Sequence, residues 1–239
     1  MAPAFVYAGP ILGPITGTFG LDGPGVLTFN ASGSDFINFC ASVSASTCIS
    51  NGSGMGNFTV TGPGTNTFAV LTSSTDGTID DITDTTPPAP GYTYLPIGVP
   101  VSIDNIVSLT GAAYSDWDFQ ADILPLAACT TTSTQECLGP FQLDQNGANV
   151  SVEMNIYGTL INKADGSISI LDVAVTGNFV DTTIGAVIGA AVTPTGAFSD
   201  DWSATVTASA APEPGTSSMM LLAGAGLVAL SHFRRQRKS

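Results

Sequence analysis

Positive charge is almost missing from this sequence. Of 239 residues only five are Lys or Arg, against 19 Asp and Glu, and four of those five, Arg234, Arg235, Arg237 and Lys238, crowd the last six positions. Everything before them carries a single cation, Lys163. A surface that acidic repels phosphate backbones and anionic headgroups, so no nucleic-acid partner is expected. Histidine is nearly absent as well; His232 stands alone beside the basic cluster. Without a histidine in the body, no Ser-His-Asp or Cys-His centre can be assembled there. One lysine offers little to clamp a phosphate or an oxyanion, and no glycine-rich phosphate loop ending in Lys occurs. We therefore expect no cofactor and no enzyme.

Charged residues make up 10% of the chain and apolar residues 44%, whereas soluble domains are usually about 25% charged. Gly, Ser, Thr and Asn supply the missing polarity, a mixture suited to strands that use Thr and turns that use Gly and Asn. The length allows one sizeable core.

The four cysteines repeat one spacing, Cys40-x7-Cys48 and Cys129-x7-Cys137. Neither is a Cys-x-x-Cys, and zinc would need all four thiolates brought in from distant loops. Two local disulfides, Cys40–Cys48 and Cys129–Cys137, are the simpler expectation, and they imply an oxidising compartment. Four cysteines nevertheless allow three pairings.

Carboxylates are the remaining chemistry. Asp80 with Asp81, Asp116 with Asp118, and Asp200 with Asp201 are candidate pairs. A glycosidase needs two carboxyls about 5–9.5 Å apart across a sugar cleft, with Trp117 and Trp202 as candidate aromatic platforms. Asp76, Asp80, Asp81 and Asp84 lie in an oxygen-rich stretch that calcium could use. It lacks a spaced loop closed by Glu, and turn chemistry accounts for these acids without a metal.

Period-two alternation is clearest at 150–157 and 202–208. Asp165-Gly166 supplies a turn after the first run, so 150–179 reads as a long hairpin. In its second arm Ile168 and Ile170 share one parity, while Leu171, Val173 and Val175 take the other, which predicts a β-bulge. Further strands are expected at 26–30, 36–40, 57–61, 67–71, 99–103 and 117–123, with one short helix at 184–192. Gly, Pro and Ser clusters separate them, as in an antiparallel β-sandwich or jelly-roll. The expected organisation is an all-β ectodomain over 16–210 and a distinct tail over 211–239. Residues 1–15 read either as the end of a signal peptide, with Val6-Tyr7-Ala8 as its small-x-small close, or as an apolar first strand.

The tail has three parts in order. Pro212-Glu213-Pro214 cannot form regular helix and stays extended. Residues 216–233 are apolar or small through their centre, about 27 Å of helix against a bilayer core of about 30 Å. The basic cluster follows, which places the tail end in the cytoplasm and the body outside. Together these parts resemble the PEP-CTERM sorting signal of Gram-negative bacteria, the proposed substrate of the membrane protease exosortase. Gly215-Thr216 stands where that signal more often has Ser-Thr. The resemblance implies an exported protein anchored in the inner membrane and then cut near Pro212-Glu213-Pro214. A structural role at the cell surface or in the matrix, with exopolysaccharide as a partner, is the expected function; a carbohydrate-binding module or a glycosidase is the alternative.

Overall fold

In the computed structural model, the residues described are 13–29, 35–40, 55–87, 91–130, 132–191 and 198–211. The longest elements are those with the clearest sequence periodicity. Strands β11 (Asn149–Asn162) and β12 (Ser167–Phe179) form the expected hairpin around the Asp165-Gly166 turn. The last strand, β13 (Phe198–Ala210), pairs antiparallel with β12 on one side and with β1 (Gly17–Phe29) on the other.

That last contact closes the sheet. From β1 the pairing runs through β13, β12, β11, β8 (Trp117–Ile123), β7 (Ile103–Leu109), β4 (Asp76–Asp80) and β3 (Met55–Val60), and returns to β1. Every step is antiparallel. The direct β3–β1 register covers only Leu21↔Val60 and Asp22↔Thr59. Backbone bonds from Thr61 to Gly20, Thr65 to Thr18 and Thr67 to Thr16, 2.8–3.0 Å long, continue that seam. The all-β, antiparallel expectation is met. A sandwich-like arrangement implies two sheets, but here the hydrogen bonds run unbroken round a ring of eight strands.

Short strands extend the ring. Beside the outer part of β1 lie β2 (Asp35–Phe39), then β5 (Ile82–Thr83) and β6 (Thr93–Tyr94). Strands β9 (Gln135–Leu138) and β10 (Phe141–Asn146) continue from the first half of β11.

An eight-stranded ring leaves an interior just wide enough for side chains to fill. Alternate residues supply them: Phe19 and Leu21 from β1, Phe58 and Val60 from β3, Phe119 from β8, Leu171 and Val173 from β12, Val206 from β13. Phe19 packs edge-on against Phe68 and Phe119, with ring centres 4.6 and 6.3 Å apart. Phe68 also meets Trp117 at 5.5 Å. The centre of the barrel is thus filled with aromatic and aliphatic carbon, while Asn162 and Ser169 are buried polar residues at the tail end.

Trp202 shows how sequence and packing meet. Its indole points inward, lies edge-on to Phe39 at 4.9 Å, and donates from Nε1 to the carbonyl of Pro24 at 3.0 Å. The space comes from Gly23 and Gly25 on the facing strand; a Cβ on Gly25 would stand 2.8 Å from the indole.

Several expectations are corrected. Residues 67–71 belong to a 3-10 turn (Asn66–Val70), not a strand, and its Phe68 plugs the barrel end. The strand expected at 99–103 begins only at Ile103. The stretch expected to be a flexible calcium-type loop contains strand β4, with Gly77 and Ile79 facing inward. No bulge interrupts β12: its register with β11 and β13 is continuous, so Ile168 and Ile170 stay on the outer face while Leu171, Val173 and Val175 fill the core. The irregularities lie in β7, where Asn105 takes φ 57° between Ile103 and Val107, and in β8, where Asp122 is the extra residue opposite Tyr157 and Gly158. The short helix is present as α1 (Ile184–Ala191), beside β1, β10 and β13. Gln145 holds its start, accepting from the amide of Ile184 and donating to the carbonyl of Thr182.

Candidate functional site: the tail junction and an outer acidic groove

Pro212, Glu213, Pro214, Arg234, Arg235, Arg237 and Lys238 lie outside the described residues, as does the helix expected over 216–233. Among the described residues, no helix is long and apolar enough to cross a membrane. The structure does fix where the tail departs. Ala210, the last residue of β13, is paired with Ser169, and Ser209 with Ile170. The described chain ends one residue later, at Ala211, at the barrel end plugged by Phe68 and Trp117.

The same end carries the body's one lysine. Lys163, in the turn after β11, places Nζ 3.2 Å from Asp118 Oδ2. The Asp118 side chain is only 7% exposed, its other oxygen is buried and has no hydrogen-bond partner among the described residues, and Gln120 Nε2 donates to Oδ2 at 3.3 Å. The candidate pair of Asp116 with Asp118 is split by burial. Asp116 is exposed in the preceding turn, and Asp118 serves as the counter-charge of Lys163.

Asp80 and Asp81 likewise act within the fold. Asp81 Oδ1 accepts from the amide of Phe39 at 2.8 Å, and Thr93 donates from Oγ1 to Asp80 Oδ2 at 2.9 Å and from its amide to the Asp81 carbonyl at 2.7 Å. Together they tie β2 and β6 to the end of β4. Burial pushes the Asp81 carboxyl up to about 7, against the Phe39 bond that favours its charge, and neighbouring Asp80 adds to the rise. Asp80 is also raised by burial, and burial with the Asp81 charge pushes Tyr92 to about 12. Asp76 pairs with Thr59 at the opposite end of β4 from Asp80, and Asp84 is bonded to Thr85. The four calcium candidates are therefore spread along the chain, and no group of three metal-binding side chains converges among the described residues.

The Cys129–Cys137 disulfide is formed, with Cα atoms 6.0 Å apart, and it fastens the loop before β9. Cys40 is also disulfide-bonded; Cys48, its expected partner, lies outside the described residues.

One open groove of about 440 Å³ crosses the outer wall where β1, β13 and β12 meet. Asp22, Asp201, Ser203, Thr176, Asn178 and Ser151 line it. Asp22 faces Ser203 and Asp201 faces Pro24, so the two carboxylates are diagonal neighbours on adjacent strands, a relationship that sets positions roughly 7–8 Å apart. Thr176 and Ser203 share a hydroxyl contact of 3.0 Å. The sequence pointed to Asp201 but not to Asp22, because only the pairing of the first strand with the last brings them together. The candidate partner Asp200 adjoins Asp201 in the chain; its side chain lies outside the described residues. Trp117 is buried in the core; Trp202 borders the groove but keeps only 5% of its surface exposed.

An acidic, disulfide-bearing barrel followed in the sequence by an apolar, basic-ended tail defines a class, secretory proteins that carry a sorting signal at the C-terminus. The particular signal is the PEP-CTERM protein-sorting motif, whose family model matches residues 210–238. The chain carries that motif, which marks an exported protein for processing by exosortase, a membrane protein. No curated protein and no solved structure is significantly similar to the chain.

Proposed function

We propose that this chain is a non-enzymatic structural protein of the cell surface or extracellular matrix, held in the inner membrane by its tail until exosortase releases or transfers the body, and associated with exopolysaccharide. The observation that carries this reading is the junction. The sorting motif begins at residue 210, where β13 completes the ring, so the body is finished at the residue where the signal starts. A closed, packed, acidic barrel with its disulfide suits an oxidising exterior.

The test separates recognition from anchoring. Changing Pro212, Glu213 and Pro214 to alanine leaves the apolar length and the basic cluster intact. In a host with exosortase, the full-length form should then accumulate in the membrane, while the parent is processed. Neutralising Arg234, Arg235, Arg237 and Lys238 should instead disturb topology. Equal processing of the alanine variant and the parent would sink the sorting role of the motif.

The acidic groove favours a second reading, a carbohydrate-binding module. Paired carboxylates, hydroxyls and an amide on one rigid wall are groups that hydrogen-bond sugar hydroxyls. The groove is shallow and open to water, which suits binding better than hydrolysis by a carboxylate pair. Selective binding to one member of a polysaccharide panel, abolished by Asp22→Asn with Asp201→Asn, is the result that would favour it.

A further inference from the structure

We infer that the outer face of the β11–β12 hairpin is a lipid-contact surface that rests on the bilayer while the tail is inserted. Ile168 and Ile170 are each 47% exposed on that face; Ile170 is paired on both sides, and Ile168, next to the turn, with β11. Ile161 is paired with Ile168, and Tyr157, 42% exposed, lies two residues along β11 from Thr159, the partner of Ile170. Ile168, Ile170 and the half-buried Ile161 are neighbours on this face, with Tyr157 one diagonal step further along; Thr159 stands among them, and Asp172 and Asp118 border them.

The position of this patch identifies the occupant. Ile170 is the neighbour of Ser209, and the next pair places Ser169 against Ala210. Only residues 211–215 separate that point from the apolar run beginning at Thr216. Fully extended, the five steps from Ala211 to Thr216 reach roughly 17 Å. A body on so short a tether cannot move far from the bilayer, and the flank beside the tether is the flank that meets it. An isoleucine cluster with a tyrosine at its margin matches the interfacial layer, where aromatic rings and aliphatic side chains settle together. The body's only lysine stands in the turn joining these two strands, whereas the acidic groove lies at the far ends of β12 and β13. Such contact would hold the tail junction at a fixed height for a membrane-embedded protease.

The inference rests on the anchor reading above, and its test keeps the two apart. The full chain is reconstituted in phosphatidylcholine vesicles, floated, and footprinted with hydroxyl radicals. Ile168, Ile170 and Tyr157 should lose labelling, while Met55 and Val180, exposed at the other end of the barrel, keep theirs. Ile168→Ser with Ile170→Ser, both at exposed positions, should restore labelling of Tyr157 without preventing flotation. A chain that floats with its patch labelled as strongly as Met55 overturns the inference and leaves the anchor intact. A chain that does not float overturns both. Protection that appears only when exosortase is in the vesicle assigns the patch to a protein partner. Protection that persists after the body is cut from its tail assigns the cover to the chain itself. Either result overturns the lipid contact.

Discussion

Lys163 and Asp118 form an ion pair in which one partner is half-exposed and the other is buried, 47% against 7%. The asymmetry decides what the pair does. Exposed pairs contribute about 0–1 kcal/mol, and the sequence, with Lys163 beside an Asp-Gly turn, suggests that kind. In the fold, removing the ammonium strands a buried carboxylate, one oxygen of which already lacks a hydrogen-bond partner among the described residues. Breaking a fully buried pair costs about 3–5 kcal/mol, and a half-exposed partner softens that.

Lys163→Ala should therefore destabilise the body by roughly 1–3 kcal/mol, read as a lower thermal midpoint. Adding Asp118→Asn to the alanine variant should recover most of the loss, because the stranded charge is gone. An unchanged midpoint in the single variant would mean that Asp118 reaches water by itself.

Asp81 should make the barrel less stable as pH rises. Its folded value of about 7 lies above its ordinary 3.8, so between those values the folded chain holds a proton that the unfolded chain has released. That contribution is complete below about 3.8 and is lost as pH climbs through about 7. Asp81→Asn should flatten thermal midpoints measured from pH 4 to 8, with its advantage over the parent growing towards pH 8. Parallel curves for the two proteins would refute the assignment.

Non-reducing peptide mapping should recover Cys129 joined to Cys137 and Cys40 joined to Cys48. Closing a loop of that size restricts the unfolded chain by roughly 2–3 kcal/mol, so replacing both Cys129 and Cys137 by serine should lower stability by about that amount. A fragment joining Cys40 to Cys129 or Cys137 would contradict the local pairing.

Gly25→Ala should be costly for a residue in a strand. The added methyl would stand 2.8 Å from Trp202, whose ring is fixed by Phe39 and by its bond to Pro24. Overpacking of this kind costs about 1–3 kcal/mol, and a shift in tryptophan fluorescence should accompany the loss. Retained stability with unchanged emission would show that the indole has room to move.

The sequence by itself determined what depends on neighbours along the chain. Alternation specified the β11–β12 hairpin and the last strand, the Asp-Gly pair specified the turn, and the order Pro-Glu-Pro, apolar run and basic cluster specified the sorting tail. Each is a local pattern that a strand, a turn or a processing enzyme reads directly. Tertiary structure decided the rest. The first strand pairs with the last across about 170 to 190 residues of chain, and that contact turns a sheet into a ring, brings Asp22 beside Asp201, and seats Trp202 against Gly23 and Gly25. It also decided parity in β12. Pairing with β11 throughout, and with β13 from Ser169 onward, holds one continuous register, so Ile168 and Ile170 face outward, where their hydrophobicity alone would have turned them in. A ladder of backbone bonds fixes every side chain's face at once, and two isoleucines cannot reverse it.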